Sequence, residues 1–335
     1  MRHFLTTENW SRVGLQNLLN QAGLFKESPF SDDLKGKTVA LLFFNPSLRT
    51  RCSFDVGVYQ MGGKATPLQS GTETWPLEFE IGATMDGLAE EHVSEAAKVL
   101  SCYFDLIGIR AFPKFQNWEE DKQDKIIQSF AKFSCVPVFN METIVHPCQE
   151  LALMKSIQDN VGSSQNKKML VTWVPHPKPL NTAVANSACL ISSKFGMDVT
   201  LLCPNENFIL DDRFINAAKV NAKSEGGSFR VSHDIKEAYD GVDMVYAKSW
   251  GALPYFGNWD AEKPIREKYK NFIVNEEKMA LTNGAYFSHC LPMRRNVKAT
   301  DAIADSPKSL IIEEAENRLY VQKAMMKELL KGGEK

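Results

Sequence analysis

Long apolar runs are missing from this chain. No stretch approaches the ~20 apolar residues needed to cross a bilayer, and the opening MRHFLTTENW has no apolar core of the signal-peptide kind. Both absences set the expectation of a cytoplasmic protein with no membrane partner. Cysteine is sparse and unpatterned: seven residues, Cys52, Cys102, Cys135, Cys148, Cys189, Cys203 and Cys290, lie scattered in apolar segments without a C-x-x-C pair. An odd set of this kind suits reduced thiols and argues against a disulfide framework. An excess of one charge is missing too. Lys and Arg number 39 against 41 Asp and Glu, a net charge of −2, so no nucleic-acid partner is expected, although local basic clusters can still hold small anions. There is no G-x-G-x-x-G fingerprint, no internal repeat and no low-complexity tract. The Gly-rich loop with lysine and metal-binding acids that phosphoryl transfer would want is also absent.

What is present is a globular composition, 44% hydrophobic and 24% charged over 335 residues, enough for two ordinary domains. Strand-like and helix-like runs alternate almost throughout. TVALLFF (38–44), FDLIGIRA (104–111) and VPVFN (136–140) read as buried parallel strands, as do KMLVTWV (168–174), DVTLLC (198–203), FRVSH (229–233), DMVYAKSW (243–250) and SLIIEEA (309–315). Val93, Ala96, Ala97 and Leu100 put one apolar face on a helix starting near Glu90. NTAVANSACLISSKFG (181–196) reads as a helix with Asn181 as N-cap and Gly196 as stop. The pattern predicts an α/β protein of two doubly wound parallel-sheet domains. Residues 1–145 and 146–313 form the domains, with the boundary between Glu142 and Gln149, and residues 314–335 form a C-terminal helix packing back on the first.

In open α/β sheets, ligands bind outside the carboxyl ends of strands, so polar clusters just after strands carry the argument. In FFNPSLRTR (43–51) a strand ends at Phe44, Pro46 breaks it and Ser47-Leu48-Arg49-Thr50 opens a helix. Free N–H groups and the positive dipole end of a helix start attract phosphate. Ser47 and Thr50 add hydroxyls and Arg49 a two-pronged cation, although a lone S-x-R-T is more often an N-cap with solvated arginines. Glu142-Thr143-Ile144-Val145-His146-Pro147-Cys148-Gln149 follows another strand, and Arg110 closes the strand LIGIR. His289-Cys290-Leu291-Pro292-Met293-Arg294-Arg295 forms a third cluster. Alone, Cys290 reads as a packed core thiol, and Arg318 in AENRLYVQKA as a solvated helix arginine.

Together and in this order, these clusters resemble the aspartate and ornithine carbamoyltransferases across nearly the whole chain. Ser47, Arg49, Thr50 and Arg51 match the family's Ser-x-Arg-Thr-Arg phosphate motif, with Leu48 in the variable position. His146 and Gln149 match a His-Pro-x-Gln element that reaches the carbamoyl oxygen and nitrogen, and Arg110 matches the arginine that joins them. Cys290 and Leu291 match a His-Cys-Leu-Pro loop facing carbamoyl phosphate, and Arg318 a late arginine that returns to it. The resemblance implies Arg49, Arg110, His146, Gln149 and Cys290 as the catalytic set, with Ser47, Leu48, Thr50, Trp75, Leu291 and Arg318 completing the carbamoyl phosphate contacts. His146, Cys148, His289 and Cys290 are also the donor types of a zinc site; the carbamoyl phosphate reading uses them better and requires neither metal nor cofactor.

Ornithine-using members carry an Asp-x-x-x-Ser-Met-Gly element in the second domain that holds ornithine's free α-amino and carboxylate groups. This chain lacks it and has Tyr246-Ala247-Lys248-Ser249-Trp250-Gly251 at the corresponding strand end. Losing the acidic partner argues against a free α-ammonium, and Lys248 argues for a carboxylate held by charge. The runs TWPLEFEIG, MDGLAEEH, NMETIVHPCQE, HPKPLNTAVANS, YAKSWGALP and FSHCLPMRRNVKATD are similar to the family branch that uses N-acetylornithine, with the N-succinylornithine branch second. A non-catalytic metabolite-binding relative would be expected to have lost Arg49, His146 or Gln149, and all three stand. The branch resemblance implies acetylornithine contacts from Glu142, Lys248, Leu291, Arg294 and Lys298, with Lys298 modified as a carbamate. It also implies a homotrimer in which Trp75 and the Glu90 loop reach a neighbouring site. Glu90 would set acyl specificity, because a proline stands there in the succinyl branch. Without the resemblance, Trp75 reads as an anchor in its own domain and Glu90 as an acid at a helix start.

Overall fold

The computed structural model describes residues 3–331, which divide into two units. The first gathers Met1–Pro113, Glu119–Cys148 and the chain from Arg318 onward; the second holds Lys114–Trp118 and Gln149–Asn317. The last four residues of the expected 314–335 helix lie outside the described residues. In chain order the strands are β1 (Thr38–Phe43), β2 (Lys64–Gln69), β3 (Leu77–Glu78), β4 (Glu91–His92), β5 (Leu106–Arg110), β6 (Val138–Glu142), β7 (Lys168–Trp173), β8 (Asp198–Leu202), β9 (Ser228–Ser232), β10 (Met244–Lys248) and β11 (Tyr286–Ser288).

The first unit is built on a parallel sheet in the order β2-β1-β5-β6. Val39, Ala40 and Leu41 of β1 are fully buried, as are Leu106, Ile107 and Ile109 of β5, the signature of strands covered on both faces. Gly108 is needed where it stands, because a Cβ there would lie 2.5 Å from the Phe139 ring. That ring stacks on Phe54 of the helix Leu48–Gln60, with centroids 5.0 Å apart. The second unit has a five-stranded parallel sheet, β11-β10-β7-β8-β9. Trp173 at the end of β7 is fully buried and meets Phe208 and Phe272 edge-on, at 5.2 and 5.9 Å. Chain order reverses between β1 and β5 in one sheet and between β7 and β10 in the other. Each unit therefore has a switch point, where the crevice beyond the strand ends receives ligands.

The structure corrects four element readings. The run 309–315 is no strand: the helix Ile311–Lys331 begins inside it. The buried face of its first turns is largely polar, with Glu314 and Asn317 fully buried, Arg318 nearly so and Ile312 74% exposed, so hydropathy there points away from the true inner face; the apolar Val321, Met325 and Leu329 are buried further along. The helix expected near Glu90 starts at Val93 behind an N-capping His92, because Glu91 and His92 pair with Leu77 and Glu78 instead. The strand read at 136–140 is β6 and occupies Val138–Glu142 instead. Thr182, and not Asn181, is the N-cap of the helix Ala183–Lys194, although the Asn181 side chain still accepts from the Ala183 N–H at 3.1 Å. Gly196 does follow that helix, with φ +73°. The edge strand β2 is an addition that hydropathy did not signal; its Pro67 is tolerated because an edge strand leaves one side unpaired.

Candidate active site

In the first unit the site grows from the switch point. β1 ends at Phe43, and Ser47, extended at φ −157°, caps the helix Leu48–Gln60 by accepting from the Thr50 N–H at 3.3 Å. The free N–H groups of this first turn and its dipole face the strand ends. Arg110, the last residue of β5, lies beside Phe43 in register on one side and Glu142 on the other. It donates a short ion-pair hydrogen bond to the Glu142 carboxylate, whose other near neighbour is His146 Nε2 at 3.6 Å. Glu142 is held at φ +143°, a conformation L residues rarely adopt. Strain of this kind persists only where its surroundings over-determine it, and it concentrates at functional sites.

Arg318 comes back to this turn. The helix Ile311–Lys331 packs closely on Leu48–Gln60, and a Cβ at Gly57 would lie 3.3 Å from Leu319 and 3.4 Å from Lys323. That approach lets Arg318 Nη2 donate to Thr50 Oγ1 at 2.8 Å. Desolvation lowers the Arg318 pKa; Glu142 and Cys148 oppose the shift, and the charges of Arg110 and Arg49 add to it. Among the described residues, the Nε atoms of Arg49, Arg110 and Arg318 are buried without a hydrogen-bond acceptor. Three such cationic donors beside a helix start are costly unless an anion accepts from them, and a phosphate meets that need.

In the second unit the groups cluster at the carboxyl ends of three adjacent strands. Lys248 closes β10 and is 9% exposed. His289 and Cys290 follow β11 and are buried. Leu291 turns through φ +53°, and its N–H donates to His289 Nδ1 at 2.8 Å. Lys298, 1% exposed, sets its Nζ 3.1 Å from His289 Nε2. Burial lowers the Lys298 pKa to about 7, and the nearby Lys248 and Arg294 charges reinforce this against an opposing influence from Cys290. His176, beyond the end of β7, faces Arg294 Nε at 3.3 Å and holds the Arg266 guanidinium through its backbone carbonyl at 2.7 Å. Burial and the Lys298, Arg294 and Lys248 charges bring its pKa down to about 4, against a hydrogen bond from the ring to the Lys178 carbonyl that favours the protonated form. Lys248 and Arg294, beside the Lys298 amine and a neutral imidazole, offer hydrogen-bond donors and positive charge suited to a carboxylate.

Comparison with known proteins decides the family. Residues 2–159 match the carbamoyl-P binding domain of aspartate/ornithine carbamoyltransferase, and residues 167–329 its Asp/Orn binding domain. The chain belongs to the aspartate/ornithine carbamoyltransferase family. Among these carbamoyltransferases it is 59% identical to the N-acetylornithine carbamoyltransferase of Xanthomonas campestris pv. campestris over 98% of both chains. A crystal structure of acetylornithine transcarbamylase complexed with acetylcitrulline matches with a TM-score of 0.97 at 59% identity, covering 98% of this chain and 99% of that one. The N-succinylornithine carbamoyltransferase of Bacteroides fragilis is more distant, 38% identical over 88% of each.

Two carbamoyltransferase residues named from sequence stand on an exposed loop. Trp75 is 55% exposed, its Nε1 donating to Glu91 at 2.8 Å, so it is no anchor in its own core. Glu90 is exposed, and its N–H donates to the Pro76 carbonyl at 3.2 Å. It precedes the helix Val93–Tyr103 by too far to serve as a first-turn acid, a place taken by Glu95. His176 was not singled out from sequence. The rule that polar residues just after strands matter reaches it, since it follows β7 by three positions.

Proposed function

We propose that the chain transfers the carbamoyl group of carbamoyl phosphate to the side-chain amine of N-acetyl-L-ornithine, giving N-acetyl-L-citrulline and phosphate in arginine biosynthesis. The observation that carries this is the pairing of chemistries in one chain. One unit holds buried, acceptor-seeking guanidiniums at a helix start; the other gathers Lys248, Arg294 and Lys298 around a neutral His176 at its strand ends, donors suited to a carboxylate.

Ser47, Leu48, Arg49, Thr50 and Arg318 bind the phosphate, through backbone N–H groups, hydroxyls and guanidiniums. Arg110, His146 and Gln149 donate to or accept from the carbamoyl group and stabilise charge developing on its oxygen. Cys290 and Leu291 add to the carbamoyl phosphate contacts, and Leu291 with Glu142, Lys248, Arg294 and Lys298 receives acetylornithine. The amine attacks the carbamoyl carbon, the C–O bond to phosphate breaks, and phosphate leaves with the charge that Arg49 and Arg318 neutralise. Positioning of two substrates supplies much of the rate, ~7–11 kcal/mol in favourable cases. The amine must first shed a proton from a group of pKa ~10.4. The leaving phosphate and Cys290 are the candidate acceptors.

The working assembly is a cytoplasmic homotrimer in which Trp75 and the Glu90 loop complete a neighbour's site. This is supported by the exposure of Trp75, Ile81, Met85 and Leu88 on one loop (55%, 71%, 41% and 90%) and by the free thiols of all seven cysteines. A colorimetric ureido assay with carbamoyl phosphate and a panel of ornithine, acetylornithine, succinylornithine and aspartate tests the reaction. Turnover of acetylornithine above the other three is expected; turnover of free ornithine above acetylornithine would overturn the reading.

A further inference from the structure

The buried Glu314 has no part in the scheme above, yet three side chains of its own unit converge on it. Gln149 Nε2 donates a short hydrogen bond to its Oε1, and Tyr246 Oη donates to the same oxygen at 3.0 Å. Ser288 Oγ donates to Oε2. Glu314 is fully buried and lies in the first turn of the helix Ile311–Lys331, where the dipole favours an anion. Its backbone is fixed as well. Asn160 Nδ2 reaches the neighbouring Glu313 at 3.0 Å, and Asn317 Nδ2 reaches Ser156 Oγ at 2.9 Å. The start of this helix is thereby pinned to the helix that opens with Pro147 and carries Gln149.

We infer that Glu314 is a positioning residue that sets which end of the Gln149 amide meets the carbamoyl group. This rests on the carbamoyltransferase reading and on the part given there to Gln149. A side-chain amide has a donor end and an acceptor end of nearly the same shape, and a turn of half a circle exchanges them. Glu314 acts as an acceptor on both oxygens, toward Gln149 and Tyr246 on one and Ser288 on the other. It therefore takes the NH2 of Gln149 and leaves the amide oxygen turned the other way, as an acceptor for the carbamoyl NH2. A buried polar group left without its partner is costly, so the three hydrogen bonds at the fully buried Glu314 hold this orientation firmly. Tyr246, in the middle of β10, and Ser288, at the end of β11, fix the carboxylate in turn.

The test is a double-mutant cycle of Glu314→Gln and Gln149→Ala on the full-length enzyme, with kcat and KM for both substrates from the ureido assay. Glu314→Gln keeps the size and shape of the buried side chain, so the core stays filled, and circular dichroism confirms the fold. It replaces a group that accepts on both oxygens by one that also donates, and the Gln149 amide loses its preferred sense. About a tenfold fall in kcat is expected, with KM for acetylornithine within twofold. In the Gln149→Ala background the same change costs less than twofold, because the residue it acts through is gone. A tenfold cost in both backgrounds, or none in either, overturns the inference while leaving the carbamoyltransferase reading intact. If Gln149→Ala alone leaves kcat unchanged, the part given to Gln149 fails and the inference with it. Absence of ureido product from the wild-type protein fails the underlying reading instead.

Discussion

Lys298 offers a perturbation whose size follows from the structure. Its ammonium is buried beside Lys248 and Arg294, which brings its pKa down to about 7. The hydrogen bonds agree. His289 Nδ1 accepts from the Leu291 N–H, so a neutral imidazole carries its proton on Nε2, and Nε2–H donates to Lys298 Nζ only when that amine has a free lone pair. At pH 8 roughly 90% of such an amine is neutral, against roughly 0.4% for a free lysine of pKa ~10.4. Only the neutral amine adds carbon dioxide, so Lys298 should capture it about 200-fold more readily than a surface lysine at that pH. The neighbouring cations stabilise the resulting carbamate anion. Carbon-13 NMR in labelled bicarbonate, from pH 6 to 9, should show a carbamate signal that grows as pH rises through about 7 and is absent in Lys298→Met. No signal at pH 8–9 would refute the argument, as would an equal signal in the variant. The unmodified amine makes a linked prediction for stability. Its folded pKa lies below its unfolded one, so the unfolded chain binds the extra proton and stability rises with pH between about 7 and ~10.4. Lys298→Met removes that dependence.

Arg49→Ala should lower turnover at least about a hundredfold, the usual cost of one preorganised donor at a developing charge, with an unchanged circular dichroism spectrum; activity within tenfold of wild type would contradict its phosphate role. Glu90→Pro should move the ratio of kcat/KM several-fold toward succinylornithine, because removing a negative charge relieves repulsion of the extra carboxylate; an unchanged ratio leaves Glu90 as a loop residue. Thiol titration of the native protein should find Cys52, Cys102 and Cys135, which are exposed, and should find the rest only after denaturation. Burial holds the Cys203 thiol up at about 12 and raises Cys189 as well, so rapid native labelling of either would contradict the packing.

Much of the architecture was legible because the buried strands carry their own signal. Val39–Phe43, Leu106–Ile109 and Met169–Trp173 are apolar on both faces, and only a parallel sheet covered by helices accommodates that. The switch-point residues were legible for a related reason, since Ser47, Arg49, Arg110 and Lys248 break apolar runs at their carboxyl ends. What escaped was structure whose cause lies elsewhere in the chain. The helix Ile311–Lys331 was misread at its start because the inner face of its first turns is polar, and that polarity makes sense only beside Gln149, Tyr246, Ser288 and Thr50. β2 escaped because an edge strand needs few apolar residues, and its partner β1 supplies the order. His176 escaped because a lone histidine before Pro177 reads as a turn until Arg294 is seen against it.

The first unit is assembled from both ends of the polypeptide, with Arg318 and Leu319 docking on a helix made from residues 48–60. A ribosome that has just finished Cys148 has roughly 170 further residues to make before Arg318 exists, on the order of 10–30 seconds at about 5–20 residues per second. Throughout that interval the nascent first unit lacks its final helix, and Thr50 lacks the guanidinium that will bond to it. The second unit, ending at Asn317, has its whole chain in hand sooner. Vectorial synthesis thus imposes an order opposite to the order of the sequence: the unit begun first is the one completed last, and a chain released early would carry a phosphate turn with one of its three cations missing.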